Sequence, residues 1–419
     1  MTSPRLTSPR LLVFCSLFPS AVQPQAGLFI RERMFRVGKF LPIVVVAPQP
    51  WFPAQALIRW FRPHFRPMAS TYEVMDGVAI HRPRFFCIPG IFKWTDGWFM
   101  ALSTFLATRR IVREHRANII DAHFGYPDGY AALLLGRWLR LPVVLTLRGK
   151  EQGQSSSDVA APLRRAIVGA DQVIAVSAAL QALAIEQGAD PAQVQVIGNG
   201  VDLAKFTAVP RLDARRHLGL PAEAEVLVSV GTLSEAKGFH RVIECMPGLL
   251  ALHPALHLMI VGGAGPAGDM GPKLKRMVRA LDLSDRVHFL GPLSPDCVKV
   301  ALSAADIFVL ATSYEGWANV FLEAMACGLP VITTNVGGNS QVVNDPSLGR
   351  LVPFGDTNRL REAIDEALQT PWGHASIRAY AELNSWDRRM QQLINSYHEL
   401  LSNRASEHAR APAETLDAR

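Results

Sequence analysis

Residues 306–334 read DIFVLATSYEGWANVFLEAMACGLPVITT. This stretch opens with an apolar segment, 306–311, and closes with a second one, 330–334. Between them lies a helix-like segment for which Asn319 is a suitable N-cap and Gly328 a suitable end. The stretch therefore predicts a strand, a helix and a second strand that lies parallel to the first in one sheet.

The same alternation continues on both sides of this unit. In the second half, apolar runs predict strands at 226–231, 256–262, 287–290, 306–311 and 330–334. In the first half they predict strands at 11–17, 42–47, 118–123, 142–147, 172–176 and 194–197. The predicted fold class is α/β, with two Rossmann-like domains built on parallel sheets.

Turn-rich residues 198–202 mark the linker between these domains. We expect an N-terminal domain over 1–203 and a C-terminal domain over 204–383. A last helix, 384–402, is expected to pack back on the first domain, and the polar, Ala-rich tail 403–419 is expected to be disordered.

The composition of the 419-residue chain is that of a globular protein. Hydrophobic residues make up 49% and charged residues 19%, which excludes collagen-like, disordered and coiled-coil classes. The five cysteines are widely spaced without a Cys-x-x-Cys pair, so neither a disulfide framework nor a zinc site is predicted. We expect a reducing, cytoplasmic location, no metal and no other cofactor.

No apolar run has the ~18–20 residues that a membrane-spanning helix needs, so the sequence predicts that the chain does not cross a membrane. The segment Leu11–Phe18, preceded by Arg5 and Arg10, fits two interpretations. It resembles a short secretory signal, and it also fits a buried first strand of a parallel sheet.

Positive charge is concentrated in the first half. Residues 1–205 carry a net charge of +10, whereas residues 206–419 carry a net charge of −3. The densest mixture of basic and aromatic side chains comprises Trp51, Phe52, Arg59, Trp60, Phe61, Arg62, Phe65 and Arg66. This mixture suits an anionic membrane surface or nucleic acid, and equally an ordinary surface over a core.

The clearest candidate site is the segment from Glu315 to Glu323. It follows the predicted strand 306–311, and open α/β sheets bind ligands at the carboxyl ends of their strands. Backbone N–H groups of residues 318–321 would bind an anion such as a diphosphate, while Glu323 could accept hydrogen bonds from ribose hydroxyls. Glu315 could face the group attached to the phosphate. The alternative is that both acids only complement a helix dipole.

Two further residues are candidates on weaker grounds. Lys237 lies six residues after Gly231, in a loop that leads from a strand to a helix, and could neutralise phosphate. A lysine at a helix start is also common as a solvated surface residue. His123 ends a predicted strand, where a histidine is often only a packing residue.

Taken together, these segments resemble the retaining GT-B glycosyltransferases of family 4, the group 1 type. The resemblance covers most of the chain and rests on several motifs. They are Phe18-Pro-Ser20 with Gly27, Asp121-Ala-His123-Phe with Tyr126-Pro-Asp-Gly, Thr146-Leu-Arg148-Gly149, Asn199-Gly-Val-Asp202, Gly231 to Gly238, Glu315 to Glu323, Ala324-Met-Ala-Cys-Gly-Leu-Pro-Val, and Val336-Gly-Gly.

The resemblance implies two Rossmann-like domains facing a central cleft, with a nucleotide-sugar donor bound mainly by the C-terminal one. It implies that Lys237 stabilises the leaving diphosphate and that Glu323 holds the ribose. Donor sugar and phosphate contacts are implied for Glu315, Gly316, Trp317, Ala318, Asn319 and Val320.

In the N-terminal domain, the resemblance implies that His123 lies beside the transferred sugar or the acceptor hydroxyl. Gly27 would let the backbone approach the phosphates. The expected acceptor is a glycan or a lipid-linked glycan of exopolysaccharide, capsule or cell-envelope synthesis. The expected surroundings are the cytoplasmic leaflet of a membrane, to which the protein binds peripherally, rather than nucleic acid.

Departures from the family pattern leave a second function open. Thr232 replaces an arginine that usually follows the glycine of the lysine motif, so one diphosphate cation is either missing or supplied by another residue such as Arg148. Gln341 stands where an acid is common, and Ala318-Asn319 replace glycine and an aliphatic residue. The alternative function is a catalytically weak GT-B protein that binds nucleotides or partners. The absence of any Asp-x-Asp pair favours a metal-independent enzyme.

Overall fold

A computed structural model describes residues 8–24, 26–61, 65, 67–88, 90–265 and 268–414. The chain forms two compact units. Unit 1 combines Met1–Gly198 with Met390–Arg419, and unit 2 is the continuous segment Asn199–Arg389. The chain therefore passes between units at 198/199 and 389/390, where the sequence placed the boundaries at 203/204 and 383/384.

Unit 1 is built on an eight-stranded sheet and a separate pair of strands. The strands are β1 (Leu11–Phe14), β2 (Ile43–Val46), β3 (Gln49–Trp51), β4 (Tyr72–Met75), β5 (Val78–His81), β6 (Arg84–Phe86), β7 (Ile119–His123), β8 (Val143–Leu147), β9 (Gln172–Ala175) and β10 (Val194–Val196). The helices are α1 (Leu28–Val37), α2 (Gln55–Phe61), α3 (Asp96–His115), α4 (Tyr130–Leu139), α5 (Lys150–Gln154), α6 (Ala160–Gly169) and α7 (Ala178–Glu186).

The sheet order in unit 1 is β10-β9-β8-β7-β1-β2-β5-β4, with only the β4–β5 pair antiparallel. The six strands predicted in this half are present, and β1 lies inside the sheet between β2 and β7. This is the position that the buried-strand interpretation of Leu11–Phe18 predicts. Four strands, β3 to β6, escaped prediction because each has only three or four residues and none of them is a fully buried apolar run.

Unit 2 is built on a six-stranded parallel sheet. Its strands are β11 (Glu225–Val230), β12 (Leu256–Val261), β13 (Val287–Gly291), β14 (Ile307–Leu310), β15 (Val331–Thr334) and β16 (Gly349–Val352). Its helices are α8 (Arg211–His217), α9 (Phe239–Leu250), α10 (Gly271–Ala280), α11 (Pro295–Ala304), α12 (Asn319–Ala326), α13 (Asn339–Val342), α14 (Thr357–Gln369) and α15 (His374–Leu383).

The order β13-β12-β11-β14-β15-β16 is the doubly wound Rossmann order, which reverses direction between β11 and β14. The five predicted strands of this half are present. The sixth, β16, was missed because Gly349 and Arg350 interrupt its apolar pattern. The predicted α/β class with two parallel-sheet domains is confirmed.

The last helix, α16 (Trp386–Glu414), begins in unit 2 and continues into unit 1. Residues 403–414 are helical, which corrects the expectation that the tail is disordered from 403 onward. Ala, Arg and Glu residues between 403 and 411 favour the continuation of a helix that already exists, whereas Pro412 does not. The remaining part of that expectation, 415–419, lies outside the described residues.

A second correction concerns α12. Its N-cap is Ala318, and Asn319 is the first residue of the helix. The Asn319 side chain does not cap because its Oδ1 accepts a hydrogen bond from Asn199 Nδ2 at 3.0 Å. The helix ends before Gly328, as predicted. Across the residues that the structure describes, none of the helices combines the length and apolar character that a membrane-spanning helix needs.

Candidate functional site

The carboxyl ends of β11, β14 and β15 lie side by side in unit 2, because these three strands are neighbours and parallel. Each strand is followed by a loop that leads into a helix. The loops cover 231–238, 311–318 and 335–338. This edge is where the strand order reverses, the place at which open α/β sheets bind ligands.

The first two loops are fastened to each other. The backbone N–H of Ser313 donates to the Ala236 carbonyl at 2.7 Å, and the Thr312 hydroxyl donates to the same oxygen at 2.9 Å. Gly238 has a φ of +72°, and a Cβ atom there would lie 1.9 Å from the Ala311 carbonyl oxygen. Only glycine allows this approach, which fixes the position of the Lys237 backbone.

Lys237 and Glu315 form an ion pair through Nζ and Oε2. The Glu315 backbone is held from the third loop, since the N–H of Gly338 donates to the Glu315 carbonyl at 3.0 Å. A partly buried ammonium group is costly without a counter-charge, and Glu315 supplies one. The structure thus brings together two of the predicted site residues that are 78 positions apart.

Gly316, Trp317, Ala318, Asn319 and Val320 continue from this pair into the first turn of α12. The Trp317 indole Nε1 is buried and makes no hydrogen bond to any described residue. The α12 N-terminus and this N–H group are donors that suit an anion. Glu323 lies one turn further along α12, and its side chain is half-buried.

In unit 1, His123 ends β7 and Arg148 follows β8, the neighbouring strand. Arg148 Nη2 donates to His123 Nδ1 at 3.2 Å. His123 is completely buried, and burial together with the charges of Arg148 and Arg33 holds its pKa well below the usual range. His123 is therefore neutral, with its proton on Nε2, which lies 3.6 Å from Asp121 Oδ2.

Asp121, on β7, is the acid of this buried group. Burial raises the pKa of Asp121 to about 6, although a hydrogen bond from Tyr397 and the charges of Arg33 and Arg148 lower it. Arg33, on α1, is also buried and donates to the Ile197 carbonyl at 3.1 Å. Asp121, Arg33 and Tyr397 were not predicted as site residues. Asp121 stood in the quoted motif, but α1 and α16 gave no signal that they reach this point.

Gly27 is the residue before α1 and has a φ of +68°. A Cβ atom there would lie 2.2 Å from the Leu17 carbonyl oxygen, so the chain after β1 and the start of α1 approach too closely for any side chain. Nearby, Asp128 binds the Ser16 hydroxyl at 3.0 Å. Burial raises the pKa of Asp128 to about 6. Gly27 is thus required by the protein's own backbone.

The predicted residues therefore form two groups, one in each unit. Lys237, Glu315 and the start of α12 belong to unit 2, and His123 and Arg148 belong to unit 1. Within the described ranges, no three His, Cys, Asp or Glu side chains come together in a way that could hold a metal ion.

Two family models match the chain. Residues 58–205 match Glycosyltransferase Family 4, and residues 210–384 match Glycosyl transferases group 1. The teichuronic acid biosynthesis glycosyltransferase TuaC of Bacillus subtilis, itself a putative assignment, is 30% identical over 342 residues, which are 80% of this chain and 82% of TuaC. The chain belongs to the group 1 glycosyltransferases.

A second relative and two solved structures are also similar to the chain. D-inositol 3-phosphate glycosyltransferase of Rhodococcus jostii is 30% identical over 354 residues, 78% of this chain and 77% of that one. Among solved structures, Anabaena HepE in complex with UDP has a TM-score of 0.69 at 21% identity and covers 92% of this chain and 99% of HepE. Sucrose-phosphate synthase from Thermosynechococcus elongatus has a TM-score of 0.67 at 22% identity, covering 97% and 100%. The fold of this group 1 glycosyltransferase is GT-B.

Proposed function

We propose that this glycosyltransferase moves a sugar from a nucleoside diphosphate to a hydroxyl group of a glycan or lipid-linked acceptor. The observation that carries the proposal is the Lys237–Glu315 pair beside the N-terminus of α12. A cation and free backbone N–H groups at the switch point of a Rossmann sheet suit a diphosphate. HepE, a structural neighbour, is recorded with UDP and with UDP-glucose, which makes UDP-sugars the first donors to test.

In the proposed reaction, the bond between the anomeric carbon and the diphosphate oxygen breaks, and its electron pair stays on that oxygen. Positive charge develops on the sugar and negative charge on the departing phosphate. Stabilising that negative charge is the main catalytic task. Lys237 provides this stabilisation when the diphosphate replaces Glu315 as the partner of its ammonium group. The N–H groups of the first turn of α12 lie beside Lys237.

The acceptor oxygen then bonds to the anomeric carbon on the face that the phosphate leaves, so that configuration is retained. Its proton passes to the diphosphate oxygen. Glu315, released from Lys237, is placed to hydrogen-bond the sugar, and Glu323 the ribose. No metal ion is needed in this scheme, because Lys237 and the helix N-terminus provide the positive charge.

His123 and Arg148 are the residues of unit 1 that we assign to the acceptor side. His123 is neutral and has no exposed surface, so its role is to hold Arg148 and shape the site rather than to carry a proton. Arg148 offers a guanidinium group to an anionic part of the substrate. Gly27 lets the start of α1 lie close to the chain after β1.

Cell-envelope glycans are the proposed products. TuaC is named for teichuronic acid biosynthesis, and WaaB, a structural neighbour with a TM-score of 0.64 at 15% identity, is named as a lipopolysaccharide outer core galactosyltransferase. We propose that the protein works at the cytoplasmic leaflet of a membrane as a peripheral protein. In the basic and aromatic mixture near α2, Trp60 and Phe61 are each 81% exposed, which supports this placement. Arg62 and Arg66 lie outside the described residues.

A panel of UDP-, GDP-, ADP-, CMP- and dTDP-sugars tests the proposal through thermal stabilisation followed by turnover. A ligand at 100 times its dissociation constant stabilises the fold by about 2.7 kcal/mol. One sugar nucleotide should raise the melting temperature and also be consumed when an acceptor extract is added. Thr232 and Gln341 support the second candidate, a nucleotide- or partner-binding module. Stabilisation without turnover by any acceptor would establish that candidate instead.

A further inference from the structure

An exposed apolar stripe begins just before α3 and continues along it. Trp94 lies in the short 3₁₀ turn Lys93–Thr95, and Trp98, Leu102 and Leu106 follow on α3 at a spacing of four residues. Their exposed fractions are 57%, 47%, 53% and 74%. Residues four apart on a helix are neighbours on its surface, so Trp98, Leu102 and Leu106 form one apolar strip in contact with solvent. Trp94 continues the strip, since it lines the same cavity as Trp98.

Basic residues continue the same face. Arg109 lies eleven residues, about three helical turns, after Trp98, and Arg113 lies eleven residues after Leu102. Both arginines are exposed. We call Trp94, Trp98, Leu102, Leu106, Arg109 and Arg113 the α3 face.

The opposite side of α3 anchors the helix in unit 1. Six of its residues are buried there: Gly97, Met100, Ala101, Thr104, Thr108 and Ile111. The core therefore does not use the α3 face, and that face is held in a fixed orientation. Single exposed apolar side chains are common on soluble proteins, but four large ones in a row form a patch of the kind that marks an interaction surface.

We propose that the α3 face docks on an anionic lipid bilayer. This rests on the proposed function, because it names the surface on which the enzyme meets a lipid-linked acceptor. Trp and Leu side chains bury themselves at the boundary between headgroups and acyl chains, while arginines pair with lipid phosphates. The excess of positive charge in residues 1–205 complements such a surface. A nucleic acid would pair with the arginines but leave Leu102 and Leu106 without a partner.

A cavity lies beside the stripe, lined by residues of α3, α4 and α6. Trp94 and Trp98 line it together with Tyr130 and Arg165, and its volume is about 640 Å³. Tyr130 begins α4, which follows β7 and His123 after the short loop Gly125–Gly129. Docking through the α3 face brings the mouth of this cavity to the lipid headgroups, where the headgroup of a lipid-linked acceptor lies.

Co-sedimentation with vesicles tests the proposal. Vesicles of phosphatidylcholine mixed with phosphatidylglycerol should carry the wild-type protein into the pellet, and vesicles of phosphatidylcholine alone should carry much less. Leu102→Ser with Leu106→Ser should weaken binding at least tenfold, because two apolar side chains are lost from the interface. Arg109→Gln with Arg113→Gln should weaken it about fivefold per arginine, and added salt should reduce that difference.

Matched controls lie in unit 2. Leu252→Ser removes an exposed leucine, and Arg276→Gln with Arg279→Gln removes two exposed arginines from α10. These variants should bind vesicles like the wild type. Binding of the α3-face variants that equals binding of the wild type, or no binding of the wild type to anionic vesicles, would overturn the proposal.

A second copy of the chain is the other candidate partner for the α3 face, and sedimentation velocity tests for it. A wild-type dimer that Leu102→Ser with Leu106→Ser converts to a monomer would also overturn the proposal. Vesicle binding does not require a donor sugar. Bound protein that consumes no sugar nucleotide would therefore count against the proposed function and leave the docking surface standing.

Discussion

The Tyr397 hydroxyl donates a hydrogen bond to Asp121 Oδ2 at 2.9 Å, joining two fully buried residues that are 276 positions apart. Through this contact α16 reaches the end of β7. Asp121 lies between Tyr397 and His123 and is also influenced by the charges of Arg33 and Arg148. The acid therefore balances two buried cations next to the proposed acceptor side.

Tyr397→Phe should shift the acid limb of the pH–activity profile upward. The Tyr397 hydrogen bond lowers the pKa of Asp121, which burial raises to about 6, so its loss should raise that pKa by about one unit further. Asp121 would then become neutral at a higher pH and cease to balance Arg33 and Arg148. The measurement is kcat as a function of pH. Cys15, Arg33, His123, Arg148 and Tyr397 are the titratable groups around Asp121.

Ser396→Ala is the control for this variant. Ser396 is the neighbouring residue on α16, and its buried hydroxyl donates to Gln172 Oε1 at 2.9 Å, away from Asp121. It should lower stability but leave the acid limb in place. An acid limb that is the same in Tyr397→Phe and the wild type would contradict the expected role of Asp121.

Lys237→Ala should reduce kcat by about 10²–10³-fold, since removing one group that stabilises transition-state charge has effects of that size. The melting temperature should change little, because the pair with Glu315 is at the edge of the sheet rather than in the core. Lys299→Ala is a matched control, since Lys299 pairs with Asp296 on α11. Equal turnover by Lys237→Ala and Lys299→Ala would refute the assignment of Lys237 to the leaving group.

Glu323→Ala should weaken UDP binding about tenfold through the loss of hydrogen bonds to the ribose. Calorimetric titration with UDP and 2′-deoxy- and 3′-deoxy-UDP gives a sharper test. The wild type should discriminate against at least one deoxy analogue, and Glu323→Ala should bind that analogue and UDP alike. Glu362→Ala, a change to an exposed acid on α14, should behave as the wild type. Discrimination that survives in Glu323→Ala would mean that another residue holds the ribose.

Gly238→Ala should destabilise the protein by more than Gly219→Ala. The two glycines have nearly equal φ angles of +72° and +69°. At Gly219 an added Cβ meets nothing within 4 Å, so the cost is the backbone term of about 1 kcal/mol. At Gly238 the Cβ would also clash with the Ala311 carbonyl, which forces the loops at 231–238 and 311–318 apart. Urea unfolding measures both, and equal losses would mean that the loops separate freely.

His253→Gln should remove a pH-dependent part of the stability of unit 2. Burial opposes the charged form of His253, but hydrogen bonds and charges from Asp365 and Glu225 outweigh it and raise the pKa. A raised pKa stabilises the folded state below the unfolded value of about 6.5, and this stabilisation is lost as pH rises through the folded value. The free energy of unfolding of the wild type should exceed that of the variant by about 1 kcal/mol at acid pH, with the gap closing above neutrality. A constant gap would argue against the ion pairs.

Much of the fold could be predicted because its central strands are buried on both faces and therefore read as continuous apolar runs. β14 and β15 are examples. Edge strands such as β4 carry mixed side chains and give no such signal. The end of α16 was missed because helix propensity, rather than an apolar pattern, extends it.

The candidate site, like the fold, could be predicted from the sequence only in part. Lys237 and Glu315 could be proposed because each follows an apolar strand, and the carboxyl ends of parallel strands meet at one edge. The contact between Asp121 and Tyr397 could not be predicted, since no local sequence pattern relates residues so far apart. Asn319 was assigned to the wrong position because its partner, Asn199, belongs to a distant segment.

Unit 2 is one uninterrupted stretch, Asn199–Arg389, whereas unit 1 is made of two pieces that flank it. During synthesis, every residue of unit 2 is added before Tyr397. All the strands of unit 1 are made long before the last helix, so Asp121 must wait, without its tyrosine, until that helix emerges. The half of the enzyme that is translated first is thus the half that is completed last.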